Sequence, residues 1–192
     1  MHPAFSVLFF TVTSGMGFGF LLCLLVGYHT HQLSIDQTDY LLWIGLAMAL
    51  FSLGLLSSTF HLANPKNAWR SFARFRTSWL SREGVIAVLI YPLLALYVVS
   101  LLTKNDALSF TLAVLLIIAL LALIYCTAMI YASLKTIPQW HTPLVSPIFM
   151  VLALSSGLVL YTAISPLSAV NIVLAILALT LGLVLKLFYF RS

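Results

Sequence analysis

Apolar residues fill six long runs in this chain, and short polar segments separate each run from the next. The runs cover Phe5–Tyr28, Tyr40–Leu62, Gly84–Thr103, Leu108–Leu134, Leu144–Ile164 and Ala169–Phe190. A helix needs about 20 such residues to cross a bilayer. No run alternates apolar and polar residues like a barrel strand, so only helices can satisfy the backbone in lipid. The sequence predicts an all-α, polytopic membrane helix bundle with six transmembrane helices in a single domain, residues 1–192.

The composition agrees with this pattern. Charged residues make up 7% of the chain and hydrophobic residues 62%, whereas a soluble domain contains about 25% charged residues. This chain cannot build a water-exposed surface, and we expect no nucleic-acid partner. The first apolar run lacks the basic start and the small-residue cleavage site of a signal peptide, so we expect it to be a retained transmembrane helix.

The distribution of basic residues predicts the orientation of the chain. With six spans, the N-terminus, the loop over residues 63–82, the loop at Lys135 and the C-terminus lie on one side. Eight of the nine Lys and Arg residues belong to that side, and only Lys104 belongs to the other. The positive-inside rule then places the N-terminus and the basic loop of this multi-pass protein in the cytoplasm. Five of the eight come from one loop, so they could also be there to dock a partner.

The loop over residues 63–82 contains five of the nine basic residues and two of the four tryptophans. Between Trp69 and Trp79 its aromatic residues recur at helical spacing, with Arg70 and Arg74 on the opposite face. This pattern predicts a basic amphipathic segment at the membrane interface. Its side chains could simply contact membrane lipids, as in an aromatic belt. They could instead dock another subunit, since Trp and Arg are favoured at interface hot spots. The docking residues would be Lys66, Arg70, Arg74 and Arg76.

Two ionisable residues, His61 and Glu83, flank this loop at the ends of apolar runs. An ionisable residue near the membrane interior is by default a functional-site hypothesis. Structural roles are also open: Ser81 could cap the third helix and place Glu83 in its first turn. Glu83 could pair with Arg82 or Arg76, and His61 could bond a carbonyl of its own helix. Together, an imidazole and a carboxylate at one depth could move protons to or from a redox ligand that enters from lipid.

The remaining motifs indicate packing. Gly15 and Gly19 form a GxxxG motif, which is typical of closely packed membrane helices. Cys23 and Cys126 lie inside apolar runs and are interpreted as packing residues, and no CxxC pair is present. The five histidines do not form a mid-helix pair of the kind that holds haem. A haem site among the histidines of the basic side stays open, but we expect no haem, no covalent cofactor and no metal.

Two segments carry a resemblance to a known family. "HLANPKNAW", from His61 to Trp69, is followed by Ser81-Arg82-Glu83. This hairpin resembles that of the dimethyl sulfoxide reductase anchor-subunit family, with its approximate pattern H-L-G-x-P-x-R-A and a later S-x-E. The segment from Tyr131 to Trp140 resembles the family's Y-x-S-[I/L]-x-T-[V/I]-P-x-W stretch.

The resemblance covers nearly the whole chain. The opening "HPAFSVLFFTV" is similar to anchors of sulfite-oxidising complexes that face the cytoplasm. Ala63 stands where the family has glycine and Asn67 where it has arginine, with Lys66 and Arg70 as the nearby cations. Members of the family usually have eight helices, two more than the six predicted here, so the chain is either a short member or part of a longer one.

The resemblance implies a quinone-reactive anchor subunit of a molybdenum oxidoreductase, with an iron–sulfur subunit and a molybdopterin catalytic subunit as partners. A lipid quinone, ubiquinone or menaquinone, would bind beside four residues: His61, Glu83, Arg70 and Trp69. His61 would bond a quinone oxygen, and Glu83 would accept or deliver the proton. Substrate catalysis would belong to a partner subunit, so no catalytic residue is expected in this chain. The charge bias favours a sulfite dehydrogenase-like complex over a periplasm-facing sulfoxide reductase.

Two other functions remain open at this stage. A small transporter or channel would require broken helices or ionisable residues near the midplane, and those positions are almost wholly apolar here. An assembly factor could use the basic loop for docking alone.

Overall fold

A computed structural model describes residues 5–59, 72, 74–165 and 168–191 of the chain. The helices in these residues are α1 Phe5–His29, α2 Gln37–Thr59, α3 Trp79–Leu102, α4 Asp106–Ala132, α5 Val145–Ile164 and α6 Ala169–Arg191. All six are long and apolar enough to cross a membrane. The predicted all-α fold with six spans is therefore confirmed, while the extent of a single domain over residues 1–192 stays a prediction.

The helix bounds follow the apolar runs closely except at α3. This helix begins at Trp79, five residues before the predicted start at Gly84. Ser78 has extended backbone angles (φ −120°, ψ 125°), and its hydroxyl accepts a hydrogen bond from the amide of Ser81 at 3.4 Å. The N-cap is therefore Ser78, and the alternative that Ser81 caps the helix is wrong. The apolar pattern placed the start too late because polar residues occupy the first turns of a helix that is nonetheless continuous.

The helices divide into two compact units, one of residues 1–68 with 147–192 and one of residues 69–146. In the first unit, α1 packs against α5 through small residues. A side-chain carbon built on Gly19 would collide with the carbonyl oxygen of Ala153 and lie 3.2 Å from the Cα of Gly157. One built on Gly15 would lie 3.5 Å from the Cβ of Ala153. The GxxxG motif therefore packs closely against another helix, as its spacing predicts, and that helix is α5.

A third glycine of α1 faces the neighbouring helix α2. A Cβ on Gly17 would lie 2.6 Å from the amide nitrogen of Phe51, and a Cβ on Gly54 would lie 2.6 Å from that of Ser14. The rings of Phe18 and Phe51 meet with their centroids 4.8 Å apart. The backbone of α1 thus lies in close contact with α2 as well as with α5.

The last helix of this unit, α6, is mostly exposed. Its buried residues are Asn171, Ala175 and Gly182. Gly182 faces Leu152 of α5, since a Cβ there would lie 3.1 Å from the Leu152 Cδ2 atom. The exposed residues are largely Val, Ile, Leu and Phe, which suits a helix that contacts lipid.

The second unit contains the α3–α4 hairpin. The amide of Thr103 bonds the carbonyl of Val99 at 2.9 Å, and Lys104 adopts a left-handed φ of 54°. Asn105 then caps α4 by accepting a hydrogen bond from the amide of Leu108 at 3.1 Å. This short connection makes the helices antiparallel, so the beginning of α3 lies beside the end of α4. The fully buried side chains between them include Ile90, Tyr97, Leu116, Leu120 and Leu123.

Candidate functional site

The candidate site lies at the beginning of α3, where a carboxyl group is buried. Glu83 is only 5% exposed, although it belongs to a helix that is apolar enough to cross a membrane. The hydroxyl of Thr127 on α4 lies 2.6 Å from its Oε1 atom. Thr127 is itself 4% exposed. The antiparallel hairpin thus brings a carboxyl and a hydroxyl together at one end, away from water.

The residue before it, Arg82, turns its guanidinium toward backbone carbonyls. Its Nε donates to the carbonyl of Phe75 at 3.0 Å, and its Nη2 donates to that of Arg76 at 2.7 Å. The guanidinium also lies 4.3 Å from the ring centroid of Trp79, within the range of a cation–π interaction. Glu83 forms an ion pair with neither arginine, so that alternative is wrong. Arg82 instead ties the preceding loop to the first turn of α3.

Glu83 also lies beyond the turn where a helix dipole would stabilise its charge. Because Ser78 is the N-cap, Glu83 is the fifth residue of α3, and the first turn contains no acidic residue. The favourable effect of a helix N-terminus on a negative charge falls off within the first turn. The interpretation of Glu83 as a first-turn residue is therefore wrong. An unpaired, buried carboxylate is costly, so the hydroxyl of Thr127 is the partner that matters.

Residues of the second family-like segment lie at the end of α4, close to this carboxyl. Tyr131 lies one helical turn beyond Thr127, whose hydroxyl contacts Glu83. The Tyr131 ring meets the ring of Trp140 edge-on, with centroids 5.1 Å apart. Parts of both segments that carried the resemblance are therefore brought together in the second unit.

The described part of the basic loop does not continue as a helix. The amides of Thr77 and Ser78 bond the carbonyl of Arg74 at 3.1 and 3.0 Å, which closes a turn before α3 begins. The expectation of one helical face running from Trp69 to Trp79 is therefore wrong at its C-terminal end. Ser78 interrupts the helix because its backbone is extended. The character of residues 63–82 as an interfacial loop stays a prediction.

Two of the predicted docking residues, Arg74 and Arg76, are exposed in this turn. Together with Phe75 and Thr77 they line an open depression. Phe72 and Phe75 are also exposed, and the Phe72 ring lies against α3, where a Cβ on Gly84 would be 3.3 Å from it. The described part of the loop therefore exposes both cations and aromatic rings.

Several predicted site residues lie outside the described residues. They are His61, Lys66, Trp69 and Arg70. Of the four predicted quinone-binding residues, the structure therefore places Glu83 alone. Within the described ranges, no group of three His, Cys, Asp or Glu side chains could hold a metal ion. That this chain binds no metal remains a prediction.

The sequence did not indicate Thr127. Only the register of the hairpin shows that Thr127 lies opposite Glu83, because a connection at residues 103–105 places the fifth residue of α3 beside the last turns of α4. Without that register, a threonine within an apolar run does not stand out from other helix residues.

The comparisons with known proteins agree with the resemblance. A family model described as DMSO reductase anchor subunit (DmsC) matches residues 1–189. The C-subunit of the sulfite dehydrogenase of Allochromatium vinosum is 40% identical over 181 residues, which cover 86% of this chain and 56% of that protein. The chain thus spans about half the length of this curated relative. No solved structure matches it. The chain is a multi-pass membrane protein and belongs to the DMSO reductase anchor subunit (DmsC) family.

Proposed function

We propose that this chain is the quinone- or quinol-binding anchor of a multisubunit molybdenum oxidoreductase, and that it exchanges electrons between membrane quinone and an iron–sulfur subunit. The observation that carries the proposal is the buried carboxyl of Glu83. The other acidic residues of the chain are exposed: Asp36, Asp39 and Asp106. Family membership favours this function over a small transporter or channel.

A bound quinone, ubiquinone or menaquinone, would supply two-electron, two-proton redox chemistry. The residues present fit that group because Glu83 can hold and release a proton where the surrounding helix is apolar. His61 would bond an oxygen of the ring system, with Trp69 and Arg70 beside it. Proton transfer by a positioned side chain typically contributes 10²- to 10⁴-fold to a rate. Glu83 would therefore accept or deliver the proton while His61 orients the oxygen.

The proposed partners would dock on the basic loop. Arg74 and Arg76 present exposed cations there, and Lys66 and Arg70 would extend that surface. The iron–sulfur subunit would bind this surface on the cytoplasmic side of a bacterial inner membrane, and a molybdopterin subunit beyond it would act on the substrate. The similarity to a sulfite dehydrogenase subunit favours a sulfite-oxidising complex.

Purification of the chain from its native membrane tests this proposal. We expect a large molybdenum-containing protein, a cysteine-rich iron–sulfur protein and lipid quinone to accompany it. The sample should reduce or oxidise a soluble quinone analogue. Isolation of the chain alone, together with solute transport in reconstituted vesicles, would support the transporter instead.

Replacement of His61 tests the quinone site within the assembled complex. We expect His61→Ala to weaken the binding of a quinone-analogue inhibitor while the subunits remain together. His31→Asn is a suitable control, since His31 has a left-handed φ of 56° that Asn tolerates, and it lies in a different connection. Unchanged inhibitor affinity in His61→Ala would restrict His61 to a structural role.

A further inference from the structure

The hydroxyl of Thr127 has one proton and two acceptors within reach. Glu83 Oε1 lies 2.6 Å from its Oγ1, and the carbonyl oxygen of Leu123, one turn back on α4, lies 3.1 Å from it. A hydroxyl group donates a single hydrogen bond but can also accept others. The two contacts therefore cannot both be donated by Thr127 at the same moment.

The two contacts match the two protonation states of the carboxyl. When Glu83 is ionised, Thr127 donates to Oε1, and a distance of 2.6 Å is typical of a hydroxyl bonded to a carboxylate. When Glu83 is protonated, the carboxyl donates to Thr127 Oγ1, and the threonine proton turns to the carbonyl of Leu123. Rotation of one hydroxyl suffices for the exchange, so no heavy atom has to move.

This arrangement matters because both side chains are buried. A buried polar group that loses its partner costs free energy, and the cost is larger for a charged group. With Thr127 present, the carboxyl keeps a hydrogen bond before and after it takes up a proton. Many other serine and threonine hydroxyls in the described helices bond carbonyls of their own helix, as Thr111 does to Ala107 at 2.9 Å. Thr127 differs because it also reaches a carboxyl on another helix.

We propose that Thr127 is a positioning residue that lets Glu83 take up and release a proton without side-chain movement during quinone turnover. This inference rests on the proposed function, because Glu83 must be on the proton path for its partner to matter. Thr127 would thus serve Glu83 as a hydrogen-bond partner with two states, and not as a fixed counter-ion.

The test uses the full-length chain, purified with its accompanying subunits. Thr127→Val keeps the side-chain shape and removes the hydroxyl, Thr127→Ser restores the hydroxyl, and Thr111→Val removes an exposed hydroxyl of the same helix as a matched control. The measurements are kcat and KM with a quinone analogue, activity with a soluble electron dye, and the infrared difference spectrum between oxidised and reduced samples. Glu83→Gln identifies the carboxyl band in that spectrum.

We expect Thr127→Val to lower quinone-dependent kcat roughly tenfold, the factor that corresponds to one hydrogen bond of a charged group. KM and dye activity should stay unchanged, and the Glu83 carboxyl band should shift. Thr127→Ser should recover both the rate and the band, and Thr111→Val should match the unmodified protein. If Thr127→Val does not assemble, Thr127→Ala removes the same hydroxyl without adding bulk.

Two outcomes would overturn the inference. In the first, Thr127→Val has a normal rate and an unshifted band. In the second, Thr127→Ser is as slow as Thr127→Val, which would show that side-chain shape matters and the hydroxyl does not. A slow Glu83→Gln with a normal Thr127→Val defeats this inference alone. A normal Glu83→Gln defeats the role of Glu83 in the proposed function and the inference with it.

Discussion

The unit that contains α1, α2 and α5 differs from the α3–α4 hairpin in how its buried polar groups are used. In the first, the buried hydroxyls of Ser14 and Ser57 bond carbonyls of their own helix, those of Phe10 at 2.5 Å and Gly54 at 2.7 Å. In the second, Thr127 reaches across to the carboxyl of Glu83. A serine hydroxyl keeps its proton at neutral pH, whereas a carboxyl can exchange one. The difference teaches that the closely packed glycines of α1 and the buried carboxyl of Glu83 lie in separate parts of this chain.

The largest expected effect tests the close glycine packing of the first unit. Gly19→Ala places a Cβ against the carbonyl of Ala153 and 3.2 Å from the Cα of Gly157, and backbone atoms cannot yield as a flexible side chain can. We expect a loss of about 3 kcal/mol in the free energy of unfolding, the upper end for overpacked sites. Thermal unfolding in detergent measures it. Gly45→Ala is the matched control because no atom lies within 4 Å of its added Cβ. Equal melting temperatures for the two variants would contradict the packing assignment.

The next effect concerns the chemistry of the hairpin. We expect Glu83→Gln to slow quinone turnover about 10²-fold while leaving activity with soluble electron dyes intact, because the amide cannot exchange the proton. Steady-state kinetics with both acceptors separates these effects. Asp106→Asn removes an exposed carboxylate in the first turn of α4, at the opposite end of the same hairpin. The Asp106→Asn control should turn over quinone normally. Normal turnover in Glu83→Gln would show that the Glu83 carboxyl does not transfer the proton.

The smallest effect sharpens the assignment of the helix start. Ser78→Ala removes the N-cap of α3 and should lower the free energy of unfolding by about 1 kcal/mol. Ser81→Ala should change it little, because the buried hydroxyl of Ser81 has no hydrogen-bond partner among the described residues. Chemical or thermal denaturation in detergent compares the two. A larger loss for Ser81→Ala than for Ser78→Ala would reverse the cap assignment.

The spans were predictable from the sequence because lipid imposes both the length and the apolar character of each helix. The bounds of α1, α4, α5 and α6 differ from the predicted runs by at most two residues at either end. The start of α3 was missed because Ser81, Arg82 and Glu83 look like loop residues when only hydropathy is considered. The helix nevertheless buries Ser81 and Glu83 and directs Arg82 to carbonyls. Burial of polar residues depends on tertiary contacts, which hydropathy does not contain.

The candidate site was predictable only in part. Glu83 stood out because carboxyl groups are rare near apolar runs, and its burial supports that interpretation. Thr127 could not be identified from its own surroundings, since its role depends on the register between two helices. The amphipathic pattern from Trp69 to Trp79 gave a wrong expectation for the turn after Arg74, because helical periodicity of side chains does not reveal where an extended residue such as Ser78 interrupts the backbone.

The first compact unit is discontinuous along the chain, and this has a consequence for biosynthesis. Membrane insertion proceeds from the N-terminus, and domains generally fold as units in that order. The contact of Gly17 with α2 can form as soon as the second span is inserted. The contact of Gly19 with Gly157 can form only after the whole α3–α4 hairpin has been synthesised. During that interval the glycine face of α1 is open to lipid or to other nascent spans. A ribosome stalled after α4 would therefore expose a chain in which the α3–α4 hairpin is complete while the first unit still lacks α5 and α6.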